Sequence, residues 1–186
     1  MSIESDVAGV LRGSPADRIS YSLDQIAVDK GRMELVAKAI DQGDISVAIT
    51  PTGNLLGAAY SSYKGRRLEP GQKKLIGEIA LPNASVVNFP VGKAGIFHES
   101  IHALLDVKPS TISVRNGDEV LAYIGDAMYL KATNTRVGGD PLAKAIYDAA
   151  FAIIDGKKML AKRGVALKWS DCGGLLDAIN AHPAYR

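Results

Sequence analysis

Several common landmarks are missing from this chain of 186 residues. It has a single cysteine, Cys172, which excludes an intrachain disulfide and suits a reducing compartment. No apolar run reaches membrane-spanning length, and residues 1–14 carry Glu4 and Asp6 where a secretory leader would have an apolar core. The expected location is therefore cytoplasmic, with export as an effector by another route as the alternative. The formal charge is only +2, and the basic runs at 64–67 and 157–158 are short and lack interleaved aromatics. Neither nucleic acid nor a membrane is an expected partner. There is no internal repeat and no low-complexity segment, and nothing indicates an oligomeric state. What the chain does have is 47% hydrophobic residues, ample for the core of one ordinary domain.

Histidine is also scarce, with three in all, and two of them stand together in His98-Glu99-Ser100-Ile101-His102. The pattern is H-E-x-x-H. On a helix, residues four apart share a face, so His98 and His102 can aim two imidazole nitrogens at one metal ion. Glu99 borders the same face, where a carboxylate can take a proton from metal-bound water without ligating the metal. Ile96, Phe97, Ile101, Leu104 and Leu105 supply an apolar side, and Pro90 and Gly92 punctuate the chain upstream. The bland alternative is a half-buried helix whose histidines bond to neighbours.

Residues 98–106, His-Glu-Ser-Ile-His-Ala-Leu-Leu-Asp, resemble the active-site helix of the thermolysin-like zinc metallopeptidases, members of the zincin group. The resemblance implies one Zn2+ per chain with an open position for water. It implies Glu99 as general base, and a supporting role near His102 for the acid four residues beyond it, Asp106. The third ligand divides the zincin families. The metzincin pattern needs a glycine and a histidine where this chain has Leu105 and Lys108. The gluzincin pattern needs a glutamate on the next helix, and the only glutamate after Glu99 is Glu119. Glu119 opens an apolar segment, 118–130, behind Asn116-Gly117-Asp118, and Glu119, Tyr123 and Asp126 share one face of it. Glu119 is the expected ligand. Asp126 is the rival, as in the aspzincin pattern, and Tyr123 stands where gluzincins often carry a supporting aspartate. Alone, Glu119 would read as an acid complementing a helix dipole.

Elsewhere the pattern predicts a helix at 31–42 ended by Gly43, strands at 45–50 and 55–61 joined as a hairpin through 51–54, and a polar loop at 63–74. Strands at 75–81 and 85–89 follow. The order resembles the zincin arrangement of a small mixed sheet with an edge strand above the H-E-x-x-H helix. By that resemblance residues 85–89 are the edge strand, with Val86, Val87 and Asn88 pairing with an extended substrate. After the Glu119 helix the chain reads as helical. One helix starts at Asp140-Pro141, carries Leu142, Ile146, Ala149 and Ile153 as its apolar face, and ends at Gly156. The last stops before Pro183.

The expectation is an α+β, zincin-like single domain over 1–186, with a mixed upper part at 1–107 and a helical lower part at 108–186. The implied activity is hydrolysis of peptide bonds in a peptide or protein substrate. Related enzymes stabilise the oxyanion with a tyrosine or histidine from the C-terminal part, and the candidates are His182, Tyr185 and Tyr147. The alternatives are a non-proteolytic zinc amidohydrolase acting on small or cell-wall peptides, and a catalytically silent metal- or partner-binding protein.

Overall fold

The computed structural model describes residues 2–50, 57–64, 74–139 and 141–186. The fold is α+β, with two three-stranded sheets packed among helices. Helix α1 (Ile3–Arg12), capped by Ser2, buries Val7, Ala8, Val10 and Leu11. The charges of residues 1–14 hid this amphipathic pattern. Helix α2 (Lys30–Asp41) starts at Asp29, whose side chain accepts from Arg32 N–H. Between them, β1 (Tyr21–Leu23) and β2 (Ile26–Val28) form a hairpin through the left-handed Asp24.

The second sheet has the order β3–β5–β4, from β3 (Ile45–Ile49), β4 (Ala59–Ser62) and β5 (Gly77–Leu81). This corrects the expected hairpin: β3 pairs in parallel with β5, and β4 pairs antiparallel with β5. Burial explains the order. β5 buries Ile79 and Leu81 completely and takes the centre, whereas β4, Ala-Tyr-Ser-Ser, is polar and largely exposed and suits an edge. The expected turn at 51–54 lies outside the described residues, as do residues 65–73 of the polar loop.

Residues 85–89 are not a strand. Asn83 accepts hydrogen bonds from the Ser85 N–H and Ser85 Oγ, which curls Ala84–Asn88 into a short 3-10 helix. Val86 is buried in the core. The edge-strand role expected for Val86, Val87 and Asn88 is therefore corrected, and the position over the H-E-x-x-H helix belongs to β4. That helix, α3 (Pro90–Val107), begins with Pro90 in its first turn and takes in Gly92. A Cβ on Gly92 would run into the Val86 carbonyl, so the glycine lets the 3-10 turn fold against the helix.

Helix α4 (Gly117–Ala132) follows the left-handed Asn116 and packs along α3. Gly125 makes the approach close: a Cβ there would run into Ile101 Cδ1 and lie 3.1 Å from Phe97 Cε1. Tyr21 ties the first sheet to α4, its hydroxyl donating to the Leu121 carbonyl at 2.6 Å. Helix α5 (Pro141–Gly156) buries Ile146, Ala150 and Ile154, while Leu142 is 43% exposed. The inward face is thus rotated from the expected one, because this helix is apolar on most sides. Asp140, the expected cap, lies outside the described residues. The C-terminal part is not wholly helical: β6 (Val165–Leu167) pairs in parallel with β1, linking the two ends of the chain. Helix α6 (Gly173–Ala181) then ends before Pro183. Among the described residues no helix is long and apolar enough to cross a membrane.

Candidate metal centre

The close α3–α4 packing brings His98, His102 and Glu119 together. One donor atom from each lies within 4.8 Å of the others. The two imidazole Nε2 atoms are 3.3 Å apart. Glu119 Oε2 lies 3.4 Å from His98 Nε2, and Glu119 Oε1 lies 3.5 Å from His102 Nε2. The separation of the two Nε2 atoms is close to the ~3.4 Å edge of a tetrahedron whose metal–ligand bonds are about 2.0–2.1 Å, and each imidazole has a different Glu119 oxygen at a similar distance. Among the described residues Glu119 Oε2 is buried with its 3.4 Å ion-pair contact to His98 Nε2 and no hydrogen bond, a state that a cation would relieve. Two nitrogens and a carboxylate oxygen form a donor set suited to zinc. The residues present therefore fit a metal ion.

Charge around the cluster is strongly negative. Burial alone would lower His98, but the Glu119 carboxylate beside it and the charges of Glu99 and Asp126 push it up to about 9. Burial and the charge on His98 hold His102 below its ordinary value. Burial raises the Glu99 carboxyl to about 7, with the charge on His98 opposing and that of Glu119 reinforcing. Burial also pulls Glu119 upward, but its contacts with His98 and His102 win and keep it low. In effect a proton on His98 holds together carboxylates that a divalent ion could neutralise more fully.

Asp126 does not join the donor set. It is 3% exposed on α4 and faces the other nitrogen of His98, with Oδ2 3.8 Å from Nδ1. The Tyr147 hydroxyl of α5 donates to the same Oδ2 at 2.6 Å. Tyr123 stands edge-on to the His98 ring, with centroids 4.8 Å apart, and Tyr147 stands edge-on to Tyr123. His98 is thus held from behind by α4, and α4 by α5. The acid facing His102 Nδ1 is Asp118, at 3.7 Å. Asp106, expected near His102, acts on that imidazole through its charge, while its carboxylate is bonded to β4, accepting from the Tyr60 hydroxyl at 2.9 Å and pairing with Lys64 Nζ at 2.9 Å.

The cluster opens into a cleft of about 380 Å³ lined by Tyr60, Glu99, Leu105, Asp118 and Tyr185 as well as the three donors. Glu99 Oε2 accepts the Tyr60 N–H of β4 at 2.9 Å. Of the tyrosine and histidine candidates, Tyr185 reaches the cleft. Its hydroxyl shares a 2.8 Å hydrogen bond with that of Tyr123 and lies near enough to Glu119 to help hold that carboxyl low. Asn116 fixes this segment, its Nδ2 donating to the Tyr185 carbonyl at 3.0 Å and to Asn180 Oδ1 at 2.9 Å. His182 turns back on its own segment and accepts the Ala184 N–H, and Tyr147 is occupied with Asp126.

Comparison with known protein families, with curated proteins and with solved structures gives no match.

Tyr60 and Asp118 carry no sequence signal as parts of the site: strand composition does not show which edge Tyr60 occupies, and Asp118 has the chemistry of a helix cap. Gly125 had a visible signal: a glycine inside a helix costs stability and usually marks a close approach.

Proposed function

We propose that this chain is a zinc-dependent metallopeptidase with a zincin-like arrangement of strand and helices. The reading rests chiefly on one observation. Two imidazole nitrogens and the Glu119 carboxylate stand within 4.8 Å of one another, with a further carboxylate beside them, Glu99, that is not a donor. A site that only stored metal would not need that carboxylate, which speaks against a catalytically silent scaffold.

His98, His102 and Glu119 would hold the ion. When bound, zinc polarises a carbonyl and makes a nearby water more acidic. Glu99 takes the proton of the attacking water and passes it to the leaving amine. Its position beside the donors, in the cleft and bonded to the Tyr60 N–H, suits both transfers. The substrate lies along β4. In an antiparallel pair the backbone groups of alternate residues point away from the partner strand. Those of β4 point toward the cleft at Tyr60, whose N–H already reaches Glu99. An extended peptide adds to such an edge by main-chain hydrogen bonds. The Tyr185 hydroxyl donates to the oxygen on which charge develops. Asp126 and Tyr123 orient His98, and Asp118 orients His102.

The test is elemental analysis of protein purified without added metal or an affinity tag, followed by a peptide-library screen. About one zinc per chain is expected. Glu99→Gln should keep the metal and lose hydrolysis, and wild-type hydrolysis in that variant would sink the mechanism. Inertness toward casein with activity on small peptides would instead favour the amidohydrolase reading. No bound metal and no uptake on titration with zinc would refute a metal centre.

A further inference from the structure

Asp106 and Tyr60 join α3 to the edge strand along the cleft that holds the metal donors. Asp106 lies one turn past His102, yet its carboxylate serves β4. It is 11% exposed and accepts from Tyr60, Ser62 and Lys64, all on or just after that strand. Two turns earlier on the same helix face, Glu99 accepts the Tyr60 N–H. One residue therefore pins the strand to the helix at two heights, through its backbone to Glu99 and through its hydroxyl to Asp106.

Gly77 supplies an independent observation. It lies in β5 opposite Ser62, in the central strand of the sheet. A glycine inside a strand weakens it and marks close approach of another group. Gly77 does not have a positive φ, so backbone conformation does not require it. Space does: a Cβ at this position would run into the Tyr60 hydroxyl and ring. The sheet gives up a side chain so that the Tyr60 phenol can pass to Asp106.

We propose that Tyr60, Asp106 and Gly77 form a latch that fixes the edge strand against α3 and so sets the position of Glu99 relative to a substrate lying on that strand. Tyr60 and Asp106 are positioning residues, and Gly77 makes room for them. The role in hydrolysis rests on the peptidase reading, while the latch itself does not.

Tyr60→Phe keeps the ring and the strand backbone and removes only the hydroxyl. Asp106→Asn keeps the shape and weakens the acceptor. Each is made alone and together, with three readouts: kcat and KM on a peptide that the wild type cleaves, zinc affinity by chelator competition, and hydrogen exchange at the Tyr60 amide. Each single variant should lower kcat/KM about tenfold, mainly through kcat, the scale of a lost hydrogen bond to a charged group. Exchange at the Tyr60 amide should quicken and Tm should fall by a few degrees at most, while zinc affinity stays near wild type. The double variant should lose less than the sum of the two singles, because both disturb the Tyr60–Asp106 bond, while Asp106→Asn also weakens the contacts with Ser62 and Lys64. Gly77→Ala, which crowds the phenol, should reproduce the loss.

Wild-type kcat/KM in both single variants overturns the positioning role. A fall in zinc affinity as large as the fall in kcat/KM overturns it too, since the residues would then be merely structural. If the wild type cleaves no peptide, the peptidase reading fails, and exchange at the Tyr60 amide alone decides whether the latch exists.

Discussion

Exchanging Glu119 or Asp126 for its amide separates a ligand from a residue that orients one. Glu119→Gln keeps the side-chain volume and removes a charged oxygen that stands 3.4 and 3.5 Å from the two imidazole nitrogens. Four-ligand structural zinc sites bind with about 10–16 kcal/mol, or roughly 3–4 kcal/mol per ligand, so the loss should be about 100- to 1,000-fold in affinity. Asp126→Asn leaves all three donors in place. It weakens only the support of His98 Nδ1, which Asp126 faces at 3.8 Å. Loss of such an outer partner costs about 10- to 100-fold, and at this distance the lower end is expected. The assay is zinc titration against a chromophoric chelator, with Tm of the metal-free variants as control. Glu119→Gln also removes the carboxylate that supports the charge on His98, so the metal-free Tm shows whether the variant still folds. Equal losses, or a larger one for Asp126→Asn, would refute the assignment and move the third ligand to Asp126.

Three further outcomes are expected. Tyr185→Phe should keep zinc and lower kcat by about 100-fold or less, as when one oxyanion donor is removed; an unchanged kcat in a steady-state assay would exclude that role. Gly125→Val should wedge α4 away from Ile101 and Phe97, destabilising the fold by about 1–3 kcal/mol and loosening the metal centre. Denaturant titration and zinc affinity should fall together, and a change in neither would argue against the close helix approach. Arg12 bonds Glu34 at 2.9 Å and Asp41 at 2.7 Å across α1 and α2, and its bond to Glu34 holds that carboxyl below its ordinary 4.5. The resulting stability is present above that value and lost as pH falls through the lowered one. Arg12→Ala should therefore flatten the acid limb of a stability–pH profile, by no more than about 1 kcal/mol for so exposed a pair; an unaltered limb would show the bridge to be idle.

The local elements were legible in the residues. H-E-x-x-H on one helix face follows from the periodicity of 98–102, and Glu119 stood out as the only glutamate downstream. The α+β character and helices α2, α3 and α4 follow from apolar spacing and turn residues, because both depend on neighbours within a few positions. The pairing of strands does not. Whether β4 pairs with β3 or lies beyond β5 depends on which strand buries more apolar surface, a comparison made only when all three meet. Residues 85–89 have strand-like composition, and local bonds at Asn83 curl them instead. The apolar face of α5 was ambiguous because most of its sides could be buried.

The site divides the same way. Sequence alone determined which side chains could share a helix face: His98, Glu99 and His102 on α3, and Glu119, Tyr123 and Asp126 on α4. Only the tertiary structure decided that Glu119 meets the two imidazoles while Asp126 stands behind His98, and that Asp106 reaches β4 while Asp118 faces His102. Helical periodicity sets directions around one axis. Which acid faces which histidine depends on how closely two helices approach, and here Gly125 lets α4 come that near.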